Sequence, residues 1–257
     1  MSKTVAYAVI YACCFLFGAC MFSFLNVLIY RLQRGIPYWI GRSICPSCGH
    51  VLGASDLIPV LGWFLLRGKC RYCGAKISFR YVSVESLGGC FSCLCYWKYG
   101  FTAAAGFTFA FLFLLTLVSG VDWDTMEIPN GFVLGVAALG VAAWAAGMEP
   151  DLTARLIGAV CVSGPMLLLS LMIEDAFGGG DIKLMAASGL MLGWKLTIFA
   201  VLTAILTGGI YGIWLLVSEK KEKKEHFAFG PFLGAGMAAA VFVGEPVLNW
   251  YFGLFAF

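Results

Sequence analysis

Long runs of apolar residues fill most of this 257-residue chain, and they restrict its possible folds more than any other feature. Hydrophobic residues make up 61% of the sequence and charged residues only 12%, whereas a soluble domain carries about 25% charged residues. No soluble fold could bury so much apolar surface, so most of the chain must be surrounded by lipid. We therefore predict an all-α protein, a polytopic bundle of membrane-spanning helices.

The apolar runs predict about eight transmembrane helices, because one span needs roughly 20 apolar residues. The predicted spans cover residues 5–30, 83–98, 102–121, 131–147, 154–174, 182–194, 196–217 and 229–254. The first run follows Lys3, as in a secretory signal, but it continues to Tyr30 without an Ala-x-Ala-like cleavage site, which favours a retained span. The chain thus divides into a first transmembrane helix (1–30), a polar loop (31–82) and a membrane core (83–257).

Two clusters of basic residues, at 31–80 and 220–224, indicate which side of the membrane the loops face. Basic clusters are also typical of nucleic-acid binding. Each of these lies beside apolar spans, so we interpret both as cytoplasmic and predict no nucleic-acid partner. Counting spans from the first loop places Asp122 and Asp181 on the cytoplasmic side. The second cluster, which was not used in the count, falls on the same side, although omission of the short sixth span would remove this agreement.

The polar loop carries two Cys-x-x-Cys pairs. Cys45-Pro-Ser-Cys48 and Cys70-Arg-Tyr-Cys73 are separated by 21 residues, and a glycine directly follows each pair. The two-residue gap lets both sulfur atoms of a pair reach one tetrahedral ion, which is the pattern of a Zn²⁺ site with four cysteine ligands. A loop of this length has too little core to fold alone, and metal binding would supply the missing free energy.

Disulfide bonds and free thiols are the alternatives for these four cysteines. Disulfides are rare in the cytoplasm, where the loop is predicted to lie. Four cysteine ligands leave no open coordination position, so the predicted zinc is structural rather than catalytic. The other seven cysteines lie in apolar spans, where a free cysteine behaves as a small buried hydrophobe, and we assign them no role.

Two groups of ionisable residues flank apolar spans and are candidates for chemistry. Asp122 ends the third predicted span, and Asp181 follows three consecutive glycines at the start of the sixth. Two carboxyl groups can hydrolyse a peptide if one, ionised, removes a proton from water while the other, protonated, polarises the scissile carbonyl. Carboxylates a few Å apart do not both ionise at low cost, so they share one proton. Asp122 and Asp181 are the predicted catalytic pair.

The glycines Gly178, Gly179 and Gly180 are predicted to form a substrate loop. Glycine permits close backbone approach, so an extended peptide could dock there. A carboxylate at the helix start that follows would be favoured by free N–H groups. Taken alone, Gly-x-Gly-Asp is more often an ordinary loop with Asp181 as a helix cap. The catalytic interpretation depends on the combination of both aspartates with the predicted topology.

The order of these motifs is similar to that of bacterial prepilin peptidases (type IV leader peptidases), a family of Gly-x-Gly-Asp membrane aspartic proteases. The resemblance covers nearly the whole chain; its individual motifs are modest, but their order and spacing are specific. It is carried by residues 23–32 (SFLNVLIYRL, with Asn26 and Arg31), both Cys-x-x-Cys pairs with Pro59-Val60-Leu61-Gly62-Trp63 between them, Arg80, Tyr81 and Glu85, Asp122 with Ile128-Pro129-Asn130, residues 178–184 (GGGDIKL) and Phe229-Gly230-Pro231-Phe232.

The resemblance implies an enzyme that cleaves the short basic leader of type IV prepilins or pseudopilins after a glycine, at the cytoplasmic face of the bacterial inner membrane. It maps the catalytic aspartates onto Asp122 and Asp181. Asp124 competes for the first position, and Asp175 is predicted to be a solvated loop residue. Many members also N-methylate the new N-terminus with S-adenosylmethionine, although this sequence shows no glycine-rich nucleotide loop.

Two other functions compete with this one. An aspartic protease of the presenilin type would carry Tyr-Asp at the first aspartate and Pro-Ala-Leu near the end, whereas Val121 precedes Asp122 and no Pro-Ala-Leu occurs. A transporter could line an ion path with carboxylates, but it would not need the paired cysteines. The predicted partners are therefore a prepilin or pseudopilin substrate and membrane lipid, and the sequence does not indicate an oligomeric state.

Overall fold

The computed structural model describes residues 3–37, 41–173, 176–218 and 227–254. Within these ranges the chain forms ten α-helices and no strand. The helices, numbered in chain order, are α1 Lys3–Leu32, α2 Leu61–Leu65, α3 Phe79–Tyr99, α4 Ala103–Thr125, α5 Asn130–Ala145, α6 Leu152–Cys161, α7 Ser163–Met172, α8 Gly179–Val217, α9 Gly230–Ala239 and α10 Glu245–Gly253. The basic cluster at 220–224 and the predicted loop residue Asp175 lie outside the described residues.

Five helical segments in the described part of the chain are long and apolar enough to cross a membrane. They are Lys3–Leu32, Ala103–Thr125, Leu152–Met172, Gly179–Leu215 and Gly230–Gly253. The predicted all-α membrane fold is thus confirmed, while the number of eight spans stays a prediction. The long helix α8 is broken at Gly193, whose φ of 73° and ψ of 169° are not helical. The predicted sixth and seventh spans meet beside this break.

The chain divides into two compact units, Met1–Ala105 and Gly106–Phe257. In the first unit, α1 packs along α3 through glycines: a Cβ on Gly18 would collide with the Gly88 carbonyl. Such close approach is how helices gain packing energy in lipid, where apolar burial alone does not drive association. Asn26 Nδ2 donates a hydrogen bond to the Tyr81 carbonyl at 3.2 Å. The two ends of the polar loop therefore lie side by side.

The second unit is built around α8, on which α5, α6 and α9 pack. Gly189 of α8 and Gly158 of α6 touch backbone to backbone. The fully buried side chains at the centre of the unit are Phe111, Val118, Val136, Leu184, Met185, Leu233 and Met237. Because Leu184 and Met185 are buried in this core, the first turn of α8, which carries Asp181, is held in one position.

A buried arginine connects helices of the second unit by hydrogen bonds. The side chain of Arg155 on α6 is 1% exposed and donates hydrogen bonds of 2.6 to 3.4 Å to six backbone carbonyls. These belong to Gly140, Met148, Glu149, Pro150, Leu190 and Met191. The break at Gly193 deprives the carbonyls before it of helical donors. Arg155 replaces those donors and joins α5, α6 and α8.

Candidate functional site

Asp122 and Asp181 line the same cavity, which has a volume of about 320 Å³. The other lining residues are Met126, Glu127, Ile128, Asn130, Gly178, Gly179, Gly180 and Lys183. The structure thus brings together the two aspartates and the three glycines that the sequence analysis selected. Asp124, the competing candidate, is exposed and does not line this cavity.

Asp122 lies in the last turn of α4 and is 5% exposed. Its Oδ2 accepts a hydrogen bond of 2.9 Å from the backbone N–H of Gly230, the first residue of α9. The chain turns sharply after α4, with Met126 at a φ of 55°, before Pro129 leads into α5. This turn returns Ile128 to the cavity wall.

Asp181 occupies the first turn of α8. A Cβ on Gly178 would lie 3.1 Å from Asp181 Oδ2, so the carboxyl group lies against the glycine backbone, and its Oδ1 is buried with no hydrogen-bond partner among the described residues. A Cβ on Gly180 would lie 2.9 Å from the Cβ of Ile128. The absence of a side chain at Gly180 therefore allows the start of α8 to approach the turn after α4, which places the two aspartates at one cavity.

Lys183 stands one turn beyond the glycines and is exposed. Its Nζ donates a hydrogen bond of 3.0 Å to Oδ1 of Asn130 at the start of α5. Both residues line the cavity. The bond ties the first turns of α5 and α8 together on the open side of the site.

The four cysteines of the polar loop form one cluster. The sulfur atoms of Cys45, Cys48, Cys70 and Cys73 all lie within 4.8 Å of one another, and Cys45 Sγ is 3.9 Å from Cys73 Sγ. A tetrahedral zinc with Zn–S bonds of about 2.3 Å requires sulfur separations of about 3.8 Å. The four sulfur atoms are therefore close enough together to surround one zinc ion.

Each cysteine pair sits on the same kind of turn. Gly49 N donates to the Cys45 carbonyl at 2.9 Å and Gly74 N to the Cys70 carbonyl at 3.0 Å. The two glycines have φ values of 70° and 71°. Residues with a side chain rarely adopt this conformation, which explains why glycine ends both pairs.

The pKa values of two of these thiols are shifted in opposite directions. Hydrogen bonds from the backbone N–H groups of Cys48 and Ser47 lower the pKa of the Cys45 thiol to about 6. At Cys73 a backbone hydrogen bond from Ala75 lowers the pKa, but burial and the neighbouring sulfur atoms outweigh it and raise the pKa to about 11. Four thiols this close together do not all ionise without a cation, because the negative charges would repel one another. A metal ion among them would stabilise the thiolates.

A second cavity, of about 550 Å³, lies in the first unit between the polar loop and the ends of α1 and α3. Arg31, which is 9% exposed, donates to the carbonyls of Gly41 and Arg42 at 3.0 and 3.3 Å and so holds the start of the loop. Glu85 Oε2 accepts a hydrogen bond of 2.7 Å from Val60 N. Residues that carried the family resemblance therefore line this cavity.

Comparison with known proteins assigns the chain to a family. Residues 16–99 match the bacterial peptidase A24 N-terminal domain, and residues 109–213 match the type IV leader peptidase family. A protein of Legionella pneumophila named prepilin leader peptidase/N-methyltransferase is 30% identical, over 93% of each chain. This chain belongs to the type IV leader peptidase family.

Other relatives in the leader peptidase family carry the same name. One from Aeromonas hydrophila is 32% identical over 92% of each chain. One from Bacillus subtilis is 29% identical over 92% of this chain and 96% of its own length. No solved structure matches this chain.

Two contributors to this candidate site were not predicted from the sequence. Gly230 belonged to a quoted motif, but nothing indicated that its N–H reaches Asp122, 108 positions earlier. The contact between Gly180 and Ile128 was also unforeseen. Both motifs were part of the family resemblance, which was the only indication that they matter. A resemblance does not show which residues are in contact.

Replacement of a cysteine in the cluster is expected to remove the metal. Purified wild-type protein should contain about one zinc per chain, and Cys45→Ser or Cys70→Ser less than about a tenth of that, because three thiolates hold the ion far less tightly. Elemental analysis by plasma mass spectrometry measures this. Cys90→Ser, which changes an exposed thiol on α3, is the matched control. Zinc retained in both cluster variants would contradict the assignment.

Proposed function

We propose that this chain is a membrane aspartic endopeptidase that removes the leader from type IV prepilins or pseudopilins. The observation that carries the proposal is the meeting of Asp122 and Asp181 at one cavity, each at a helix end. The family and the names of the relatives support prepilins as the class of substrate. Gly178 and the first two residues of α8, Gly179 and Gly180, form the part of the cavity wall against which the substrate backbone docks, so the predicted loop is largely the first turn of a helix.

The geometry supports hydrolysis by a shared-proton pair. One ionised carboxylate removes a proton from a water molecule, whose oxygen attacks the scissile carbonyl carbon. The protonated partner donates to the carbonyl oxygen, and a tetrahedral intermediate forms. That intermediate collapses when the carboxyl group that took the water proton gives it to the leaving nitrogen, the C–N bond breaks, and the other carboxylate takes back a hydroxyl proton as the new carboxyl group forms. Both carboxyl groups then return to their starting state.

We further propose that the cavity opens at the cytoplasmic face of the bacterial inner membrane. Loop charge supports this, since the basic polar loop and the basic cluster at 220–224 mark that face. Cleavage there, after a glycine that precedes a hydrophobic helix, would leave the mature pilin anchored in lipid. The exposed apolar surfaces of the spanning helices contact lipid.

A second activity, N-methylation of the new N-terminus, is proposed for the cavity of the first unit. The relatives from Legionella pneumophila and Bacillus subtilis are named as N-methyltransferases as well as leader peptidases. A volume of about 550 Å³ suits a ligand of the size of S-adenosylmethionine. The Glu85 carboxylate on its wall fits a positively charged group of that molecule. S-adenosylmethionine would supply the methyl group, while the zinc site keeps the loop folded.

A single assay tests both activities. The purified protein in detergent is incubated with a synthetic peptide that contains a basic leader, a glycine and a hydrophobic segment, with and without S-adenosylmethionine. We expect cleavage directly after the glycine in both samples, and one added methyl group on the hydrophobic product only when the donor is present. Mass spectrometry resolves these products. An intact peptide after prolonged incubation would contradict the proposed peptidase.

Binding of the methyl donor is tested separately from activity. Equilibrium dialysis with radiolabelled S-adenosylmethionine should show saturable binding to the wild type. Glu85→Gln should weaken this binding about tenfold, because one charge-assisted contact is lost, while leader cleavage stays within about threefold of wild type. Equal binding by both proteins would contradict the assignment of the donor to this cavity.

A further inference from the structure

We infer that Gly230 is a positioning residue, whose backbone N–H holds Asp122 as the ionised member of the pair, so that Asp122 is the general base and Asp181 carries the shared proton. This inference rests on the proposed function. It assigns a different chemical task to each aspartate and gives the start of α9 a part in the reaction.

The first observation is the hydrogen bond at the start of α9. Gly230 N lies 2.9 Å from Asp122 Oδ2, and the bond is buried. Pro231 has no N–H, and the N–H groups of Phe232 and Leu233 bond to the Phe229 carbonyl. Within residues 230–233, Gly230 therefore offers the one N–H that points to the site. An N–H at the positive end of a helix stabilises a carboxylate more than a neutral carboxyl group.

The second observation concerns Asp181. Its Oδ1 is buried and has no hydrogen-bond partner in the described part of the chain, whereas Oδ2 of Asp122 accepts the N–H of Gly230. A buried charged oxygen without a donor is costly. A proton on the Asp181 carboxyl group removes the charge from the buried oxygen and provides an O–H that can donate to a substrate carbonyl. The two carboxyl groups are therefore unequal before substrate binds.

The third observation is steric. A Cβ at position 230 would lie 2.7 Å from Asp122 Oδ2 and 3.0 Å from its Cγ. Any side chain there would displace the carboxylate from the N–H. Glycine is thus required at position 230 by the catalytic group itself, in addition to helix packing.

Substitution of Gly234 is a control that changes the packing of α9 against α4 without contact to Asp122. It lies one turn further along α9, where an added Cβ would meet the Ser119 hydroxyl of α4 and not Asp122. Gly230→Ala and Gly234→Ala therefore disturb the same pair of helices, but only the first reaches the carboxylate.

Steady-state kinetics on the prepilin peptide test the inference. For Gly230→Ala we expect kcat to fall about 100-fold with KM within about threefold of wild type, because misplacement of a catalytic group by about 1 Å costs this much. Gly234→Ala should keep kcat within about threefold. Equal losses in the two variants would overturn the positioning role. A wild type that does not cleave the peptide would instead refute the proposed function.

Infrared spectroscopy locates the proton independently of activity, and it decides the question even if Gly230→Ala fails to fold. The wild type at neutral pH should show one protonated carboxyl C=O band from the pair. Asp181→Asn should remove this band and Asp122→Asn should retain it, since each change preserves shape. Loss of the band in Asp122→Asn together with its retention in Asp181→Asn would overturn the assignment.

Discussion

Asp181→Asn is expected to reduce leader cleavage at least about 1000-fold, which is the loss usual for removal of a general acid that acts together with a partner. The amide has nearly the same shape as the carboxyl group, so the first turn of α8 and the Gly178 contact should persist. It cannot, however, carry the proton that polarises the scissile carbonyl.

The measurement for Asp181→Asn is the initial rate of peptide cleavage, normalised to folded protein. Thermal unfolding of the variant in detergent should match or slightly exceed that of the wild type, because Oδ1 has no donor to lose among the described residues. More than about a tenth of wild-type activity in the variant would contradict a catalytic role for Asp181.

Arg155→Met is expected to cause a large loss of stability, about 3–5 kcal/mol, because several buried carbonyls lose their donor together and each unsatisfied group costs about 1–3 kcal/mol. Six carbonyls lose their donor, including Leu190 and Met191 before the helix break. A methionine side chain fills similar space but donates nothing, so these oxygens stay unsatisfied.

Denaturant titration in detergent, followed by circular dichroism, measures the free energy of unfolding of Arg155→Met. Lys195→Met is the matched control, since it removes an exposed cation on α8 just after the same break. The control should stay within about 0.5 kcal/mol of wild type. Equal stability of the Arg155 variant and the wild type would show that water satisfies the carbonyls.

Sequence reasoning predicted the features that depend on a local residue pattern or on the chemistry of a few residues. Long apolar runs predicted the spanning helices, since lipid requires length and low charge. The spacing of the two Cys-x-x-Cys pairs predicted the cysteine cluster, and the positive φ of Gly49 and Gly74 explains why a glycine follows each pair. The count of loops placed Asp122 and Asp181 on one side, and the structure brings both to one cavity.

Contacts between distant segments could not be predicted in this way. The bond from Gly230 to Asp122 depends on how α9 packs against α4, and no local pattern encodes that packing. Arg155 was a detectable signal, since an arginine in an apolar run needs an explanation. Its role depends on the break in α8, and neither the break nor its acceptors follow from composition.

The choice between Asp122 and Asp124 tests the central claim most directly. The measurement is the peptide-cleavage rate of Asp122→Asn and Asp124→Asn, prepared side by side and quantified by product mass. Asp122 is buried and lines the cavity with Asp181, whereas Asp124 is exposed and does not line it. We expect Asp122→Asn to lose at least about 1000-fold and Asp124→Asn to stay within about threefold of wild type. Full activity in Asp122→Asn, or inactivity confined to Asp124→Asn, would contradict the account.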